Sequence, residues 1–128
     1  MAYDYDDNNV FARILRGEIP NKTVLETAHS LAFHDLNPQA PSHILLIPKG
    51  KYVTFDDFAE HASPEEITDF MRALAQITRA EGISTGAGGM GFRAIANAGD
   101  HAHQEVPHFH LHILGGRALG PLLAPRNG

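Results

Sequence analysis

Residues 107–117 read PHFHLHILGGR, with His108, His110 and His112 alternating with Phe109, Leu111 and Ile113. A period of two belongs to a β-strand and not to a helix. The spacing therefore predicts three imidazoles on one face of a strand and a hydrophobic set on the other. A core needs only the second face. Along a strand the outer two histidines stand roughly 13 Å apart at the backbone, a row suited to an extended ligand such as a phosphate ester. An imidazole suits work on phosphorus because its ordinary pKa of about 6.5 leaves a ring nitrogen with a free lone pair at neutral pH. Attack by that nitrogen would divide one difficult displacement into two, through a covalent intermediate. Zinc ligation by the same imidazoles is the competing chemistry. The long row, the absence of cysteine and the scarcity of nearby carboxylates count against it.

Upstream of this strand the chain alternates short elements with turns. Residues 1–8, with three Asp and no periodicity, read as a frayed acidic extension. From Asn9 onward, Val10, Phe11, Ile14 and Leu15 fall at helical spacing, with Gly17 as the stop and Pro20 beyond it. Strands are expected at Thr23 to Glu26 and Leu31 to Asp35, and a central one at His43 to Pro48, whose apolar run is bounded by turn residues. The run YVTF (residues 52–55) fits a strand or a helical turn, and Asp56 to Ala62 reads as loop.

Ser63 opens the clearest helix: an N-cap, Pro64 at the first helical position and Glu66 as capping-box partner. Ile67, Phe70, Met71, Leu74 and Ile77 supply its apolar stripe, and Gly82 ends it. Gly86 to Gly91, GAGGMG, satisfies a dinucleotide-binding string, but a helix precedes it and a strand, GFRAIAN, follows. That is the reverse of the order the fingerprint needs, and a flexible connection is expected. The pattern as a whole predicts an α+β domain with a mostly antiparallel sheet of about five strands, one long helix and one short one.

Composition narrows the function classes. The chain has 128 residues and a formal charge of -5, with a pI near 5.9. One domain with a real core is expected. There is no basic footprint for a polynucleotide partner, while a small nucleotide remains compatible. Without cysteine there is neither a disulfide framework nor a thiolate metal site. No apolar run approaches a membrane span, and a soluble cytoplasmic protein is the expectation.

The run H-F-H-L-H-I-L followed by Gly115, Gly116 and Arg117 resembles the signature of the histidine triad family, in its Hint-type nucleoside phosphoramidase branch. FARILRGEIP (residues 11–20), Leu31 to Pro48 and Asn97 to Arg117 resemble further segments of that branch, in the same order. The resemblance runs from about Asn9 to Arg117. It divides the chain into a head (1–8), a domain (9–117) and a tail (118–128).

The resemblance implies a homodimer without a cofactor or metal, acting on purine nucleoside monophosphate derivatives. It makes His110 the nucleophile, with His108, His112 and the distant His43 orienting it and managing protons. It makes Asp35 the ribose acceptor and Phe11, Ile14, Phe33 and Leu36 the slot for base and sugar. Asn97, Gly99, Gln104 and Glu105 fall around the phosphate. Two departures stand out. Ala102 and His103 replace a frequent glycine pair, and Glu105 stands where some members carry serine. A dinucleoside polyphosphate hydrolase is the nearest rival within the family. A non-catalytic nucleotide-binding or interaction module is the rival outside it.

Overall fold

The computed structural model describes residues 3–125. Helix α1 (Val10–Leu15) is followed by strands β1 (Thr23–Glu26), β2 (Ser30–His34) and β3 (Ser42–Pro48), helices α2 (Phe55–His61) and α3 (Pro64–Ala80), and strands β4 (Phe92–Ala96) and β5 (Leu111–Gly115). The strands form one antiparallel sheet in the order β1-β2-β3-β5-β4. This is the α+β architecture expected. Among the described residues no helix is long and apolar enough to cross a membrane.

Both faces of the sheet are covered, and this explains why HILLIP reads as a continuous apolar run. Every residue of β3 is buried. Ile44 and Leu46 face α2 and α3, in a core with Phe58, Phe70, Ala73, Ile77, Phe109, Leu111 and Ile113. Leu45 and Ile47 face the other way, packing with Phe11, Leu31 and Phe33. The capping box at the start of α3 is formed: Ser63 Oγ accepts from Glu66 N and Glu66 Oε1 accepts from Ser63 N. The buried face of that helix is centred on Phe70, Ala73 and Ile77. Met71 therefore falls on its flank and is exposed, a correction to the expected stripe.

Three other expectations are corrected. Residues 56–62 are not loop. Thr54 Oγ1 accepts from Asp57 N, and Asp56 and Asp57 sit in the first turn of α2, where the helix dipole favours them. The ladder of the triad strand covers only Leu111–Gly115, its pairing ending at Leu111 opposite Leu46 of β3 and Ala96, the last residue of β4. Ahead of it the chain bends at residues 106–108, and Phe109 N donates to Tyr52 O at 2.8 Å.

Residues 3–8 are also not frayed. Tyr3 Oη donates to Asp56 Oδ2 (2.7 Å), Asp7 pairs with Lys51 (2.7 Å), and Asn9 Nδ2 donates to Asp6 O (2.7 Å). Residues 1–2 of the head and 126–128 of the tail lie outside the described residues. The glycine segment is a connection between α3 and β4, as expected.

Candidate active site

The alternation read from PHFHLHILGGR is realised across the sheet. Phe109, Leu111 and Ile113 enter the helix-side core. His108, His110 and His112 lie on the opposite face, with the first two buried and the third half-buried. His112 pairs with Leu45 across the ladder and His43 with Leu114, so His43 is the diagonal neighbour of His112 on the same face. Their rings meet with His43 Nε2 3.0 Å from His112 Nδ1. Gly116, at φ +95°, makes the turn after β5. A Cβ there would lie 2.8 Å from Pro41, so the position also needs glycine on steric grounds.

Hydrogen-bond partners assign the protons on each ring. His108 Nε2 lies 2.8 Å from Pro48 O, which only accepts, so Nε2 carries hydrogen and Nδ1 is bare. His110 Nδ1 lies 2.8 Å from His108 O. It too must donate, which leaves His110 Nε2 with an exposed lone pair. At His43 the backbone N–H of Gln39 donates to Nδ1 at 3.0 Å, so hydrogen sits on Nε2. That hydrogen goes to His112 Nδ1, with Asp35 Oδ2 3.4 Å from the same His43 nitrogen. His112 in turn carries hydrogen on its outer nitrogen. One bare nitrogen and one N–H donor thus stand on adjacent rings whose centres are 5.1 Å apart.

Burial holds all four imidazoles below the ordinary histidine range, because the charged form is the one that loses solvation. His108 and His112 are pushed down to about 4, His112 also by the neighbouring His110 and His43. His110 and His43 are lowered by burial, opposed by the charge of Asp35. A histidine whose folded pKa lies below 6.5 binds its proton first in the unfolded chain. The stability it contributes is therefore full above pH 6.5 and is lost as pH falls toward 4. For His108, fully buried, the loss is about 3 kcal/mol by pH 4. The urea midpoint is expected to fall steadily between pH 7 and pH 4.5. A midpoint flat across that range would show these rings titrating like exposed ones.

In front of the rings lies a cavity of about 510 Å³, the size of a nucleotide-scale ligand site. Phe11 and Phe33, packed edge to face at 5.7 Å, form its floor with Ile14. Leu36, 84% exposed, stands at its mouth. Asp35, His110, His112, Asn97 and Glu105 also line it. Of the expected phosphate-loop residues, Gly99 and Gln104 do not line it. The Gln104 amide donates to Val53 O (2.6 Å) and Val106 O (3.0 Å), and its oxygen accepts from Gly99 N (2.9 Å), so it staples the loop.

Several lining residues were not among the expected site residues, Lys22 and His103 among them. Lys22 is exposed, immediately ahead of β1, with no pattern to mark it. His103, with φ 57°, is the only described non-glycine residue in the left-handed region. It keeps the backbone shape that a glycine would adopt freely.

Asp35, His43 and His112 each bring a ligand-type atom within 4.8 Å of the others and could hold a divalent cation. To do so they would have to break the His43–His112 hydrogen bond. The three triad histidines cannot share a metal as they stand, since the carbonyl of Pro48 and the hydroxyl of Tyr5 occupy both nitrogens of His108.

A sheet-borne histidine row, backed by aromatic core and facing a nucleotide-sized cavity, defines a histidine triad protein. The chain belongs to this family, the HIT domain matching residues 16–119. It is 57% identical to a 13.2 kDa HIT-like protein of Azospirillum brasilense, over 96% of this chain and 98% of the relative. It is 41% identical to the purine nucleoside phosphoramidase of Escherichia coli strain K12, over 92% and 95%. Among solved structures, a HIT family hydrolase from Legionella pneumophila superposes with a TM-score of 0.79 at 39% identity, covering 88% of this chain and 96% of that one.

Proposed function

We propose that this protein hydrolyses nucleoside 5′-phosphoramidates, and related acyl phosphates of purine nucleosides, through a covalent nucleotidyl-histidine. The observation that carries the reading is the bare Nε2 of His110 at a nucleotide-sized cavity, held bare by donation from Nδ1 to His108 O. The 41% identity to a purine nucleoside phosphoramidase supports the substrate class.

Base and sugar sit against Phe11, Ile14, Phe33 and Leu36, with Asp35 accepting from the ribose and Asn97 beside the phosphate. The Nε2 lone pair of His110 forms a bond to the α-phosphorus as the P–N bond breaks. His43 and His112, flanked by the Asp35 carboxylate, carry the proton. Their pKa is low in the empty site, and the arriving phosphate anion raises it. In its singly protonated form the pair gives a proton to the leaving amine. Water then attacks phosphorus, the N–P bond to His110 breaks, and the pair takes back a proton from that water. The nucleoside monophosphate departs and every ring is as it began. His108, with both nitrogens occupied, takes no part in proton transfer.

Rates on an adenosine phosphoramidate and on a diadenosine polyphosphate, each measured in excess chelator, test the reading. Phosphoramidate turnover at least ten-fold the faster, and unaffected by chelation, is expected. The reverse preference would make the protein a dinucleoside polyphosphate hydrolase, and no turnover by folded protein would leave a binding module. Loss on chelation would restore the metal reading. A homodimer is proposed through β4, which lies at the sheet edge with Phe92 exposed. Sedimentation at twice 13.9 kDa is the expected result.

A further inference from the structure

We propose that Tyr5, in the acidic head, is a positioning residue of this active site that acts through His108 on His110. The inference rests on the phosphoramidase reading for its kinetic consequence. Tyr5 Oη lies 2.6 Å from His108 Nδ1, and the two rings meet edge to face at 5.5 Å. Pro48 O fixes hydrogen on the other nitrogen of His108, so Nδ1 can only accept, and the Tyr5 hydroxyl is its donor. His108 is completely buried. Without Tyr5 this nitrogen would be an acceptor with no partner in the core.

The head is fastened on both sides of Tyr5. Tyr3 is bound to Asp56 on α2. Asp7 is held by the Lys51 ammonium, and its carbonyl by Arg16 Nη1 at 2.7 Å. The Lys51 ammonium also lies 5.9 Å from the centre of the Tyr5 ring. Such anchoring suits a side chain that must present one hydroxyl at one point.

The consequence reaches the nucleophile through the backbone. The carbonyl of His108 is the acceptor that keeps hydrogen on His110 Nδ1 and the lone pair on Nε2. A His108 ring tied at both nitrogens fixes the orientation of that carbonyl. Released at one nitrogen, the ring can turn, the carbonyl can swing, and His110 loses both its aim and its single tautomer. Displacements of about 1 Å in a positioned group cost up to roughly a hundred-fold in rate.

The test uses the full chain with Tyr5→Phe, which keeps the ring and removes the hydroxyl, beside Tyr5→Ala, which removes both. Steady-state kinetics on an adenosine phosphoramidate are combined with ¹H–¹⁵N spectra of the histidine rings. In Tyr5→Phe, kcat is expected to fall about ten-fold with KM changed less than about two-fold. The His108 Nδ1 signal should move toward that of a nitrogen without a donor, and His110 should populate both tautomers.

Wild-type kcat in Tyr5→Phe, even with Tyr5→Ala impaired, would reduce Tyr5 to packing and overturn the proposal. So would a fall in kcat with the His110 tautomer unchanged, or a change of tautomer without a fall. If the wild type turns over no phosphoramidate, the functional reading fails separately. The ring spectra then still decide whether Tyr5 sets the tautomer of His110.

Discussion

His110→Ala is expected to lower phosphoramidate turnover by about a thousand-fold or more, on the scale seen when a covalent nucleophile is removed, while binding of the nucleoside monophosphate persists. A thousand-fold corresponds to about 4 kcal/mol of transition-state stabilisation. The asymmetry follows from the division of the site. Under the proposed reading base and sugar rest on Phe11, Ile14, Phe33 and Leu36, all of which line the cavity and stay in place when His110 is replaced. The lone pair at Nε2 has no substitute: His108 has no free nitrogen and the outer nitrogen of His112 bears hydrogen. Because the His110 ring also packs edge to face on Phe11 at 5.0 Å, His110→Asn, which fills more of the same space, should be measured alongside and lose as much. Turnover within ten-fold of wild type in both variants would remove His110 from the chemistry. Loss of nucleotide binding together with turnover would show that the ring mainly shapes the cavity.

Phe109→Ala is expected to cost about 3–5 kcal/mol of stability, a large share of the 5–15 kcal/mol that typically holds a domain together. Phe109 is 2% exposed. Its ring stacks on Phe55 at 4.9 Å with planes 5° apart, and meets Phe58 and Phe70 at 5.2 and 5.1 Å. The residue sits between two histidines in sequence, so it also sets where they emerge. Urea denaturation gives the measurement. A loss below about 1 kcal/mol would mean that α2 and α3 close over the gap, contrary to the rigid packing expected of such a cluster.

How far the sequence carried depended on the range of the interactions involved. The face of the triad and the start of α3 are set by neighbours in sequence, through alternation in one case and the Ser63 to Glu66 capping box in the other. Both were legible. Helix α2 was not, because its seven residues show only Phe55 and Phe58 on one face and two aspartates that disfavour a helix interior. The available signal was Thr54 as an N-cap ahead of those same acids. His43 became legible only through resemblance, since its place beside His112 comes from a diagonal across two strands 69 residues apart. Tyr5 lies 103 residues from His108, and nothing in MAYDYDDN marks it. Gln104 matched a phosphate-loop position by sequence, yet its amide is committed to backbone groups. Alignment of positions does not say which way a side chain turns.

The sheet covered on both sides has an evolutionary consequence for the stretch from Phe109 to Ile113. Its odd-numbered residues belong to the core and its even-numbered ones to the cavity face, so substitutions on one side can be tested by selection almost independently of the other. A change of length has no such freedom. One residue gained or lost there would exchange the two sets, sending imidazoles into the aromatic core and apolar side chains toward the cavity. The parity of this strand is therefore a tighter constraint than the identity of any single hydrophobic residue within it.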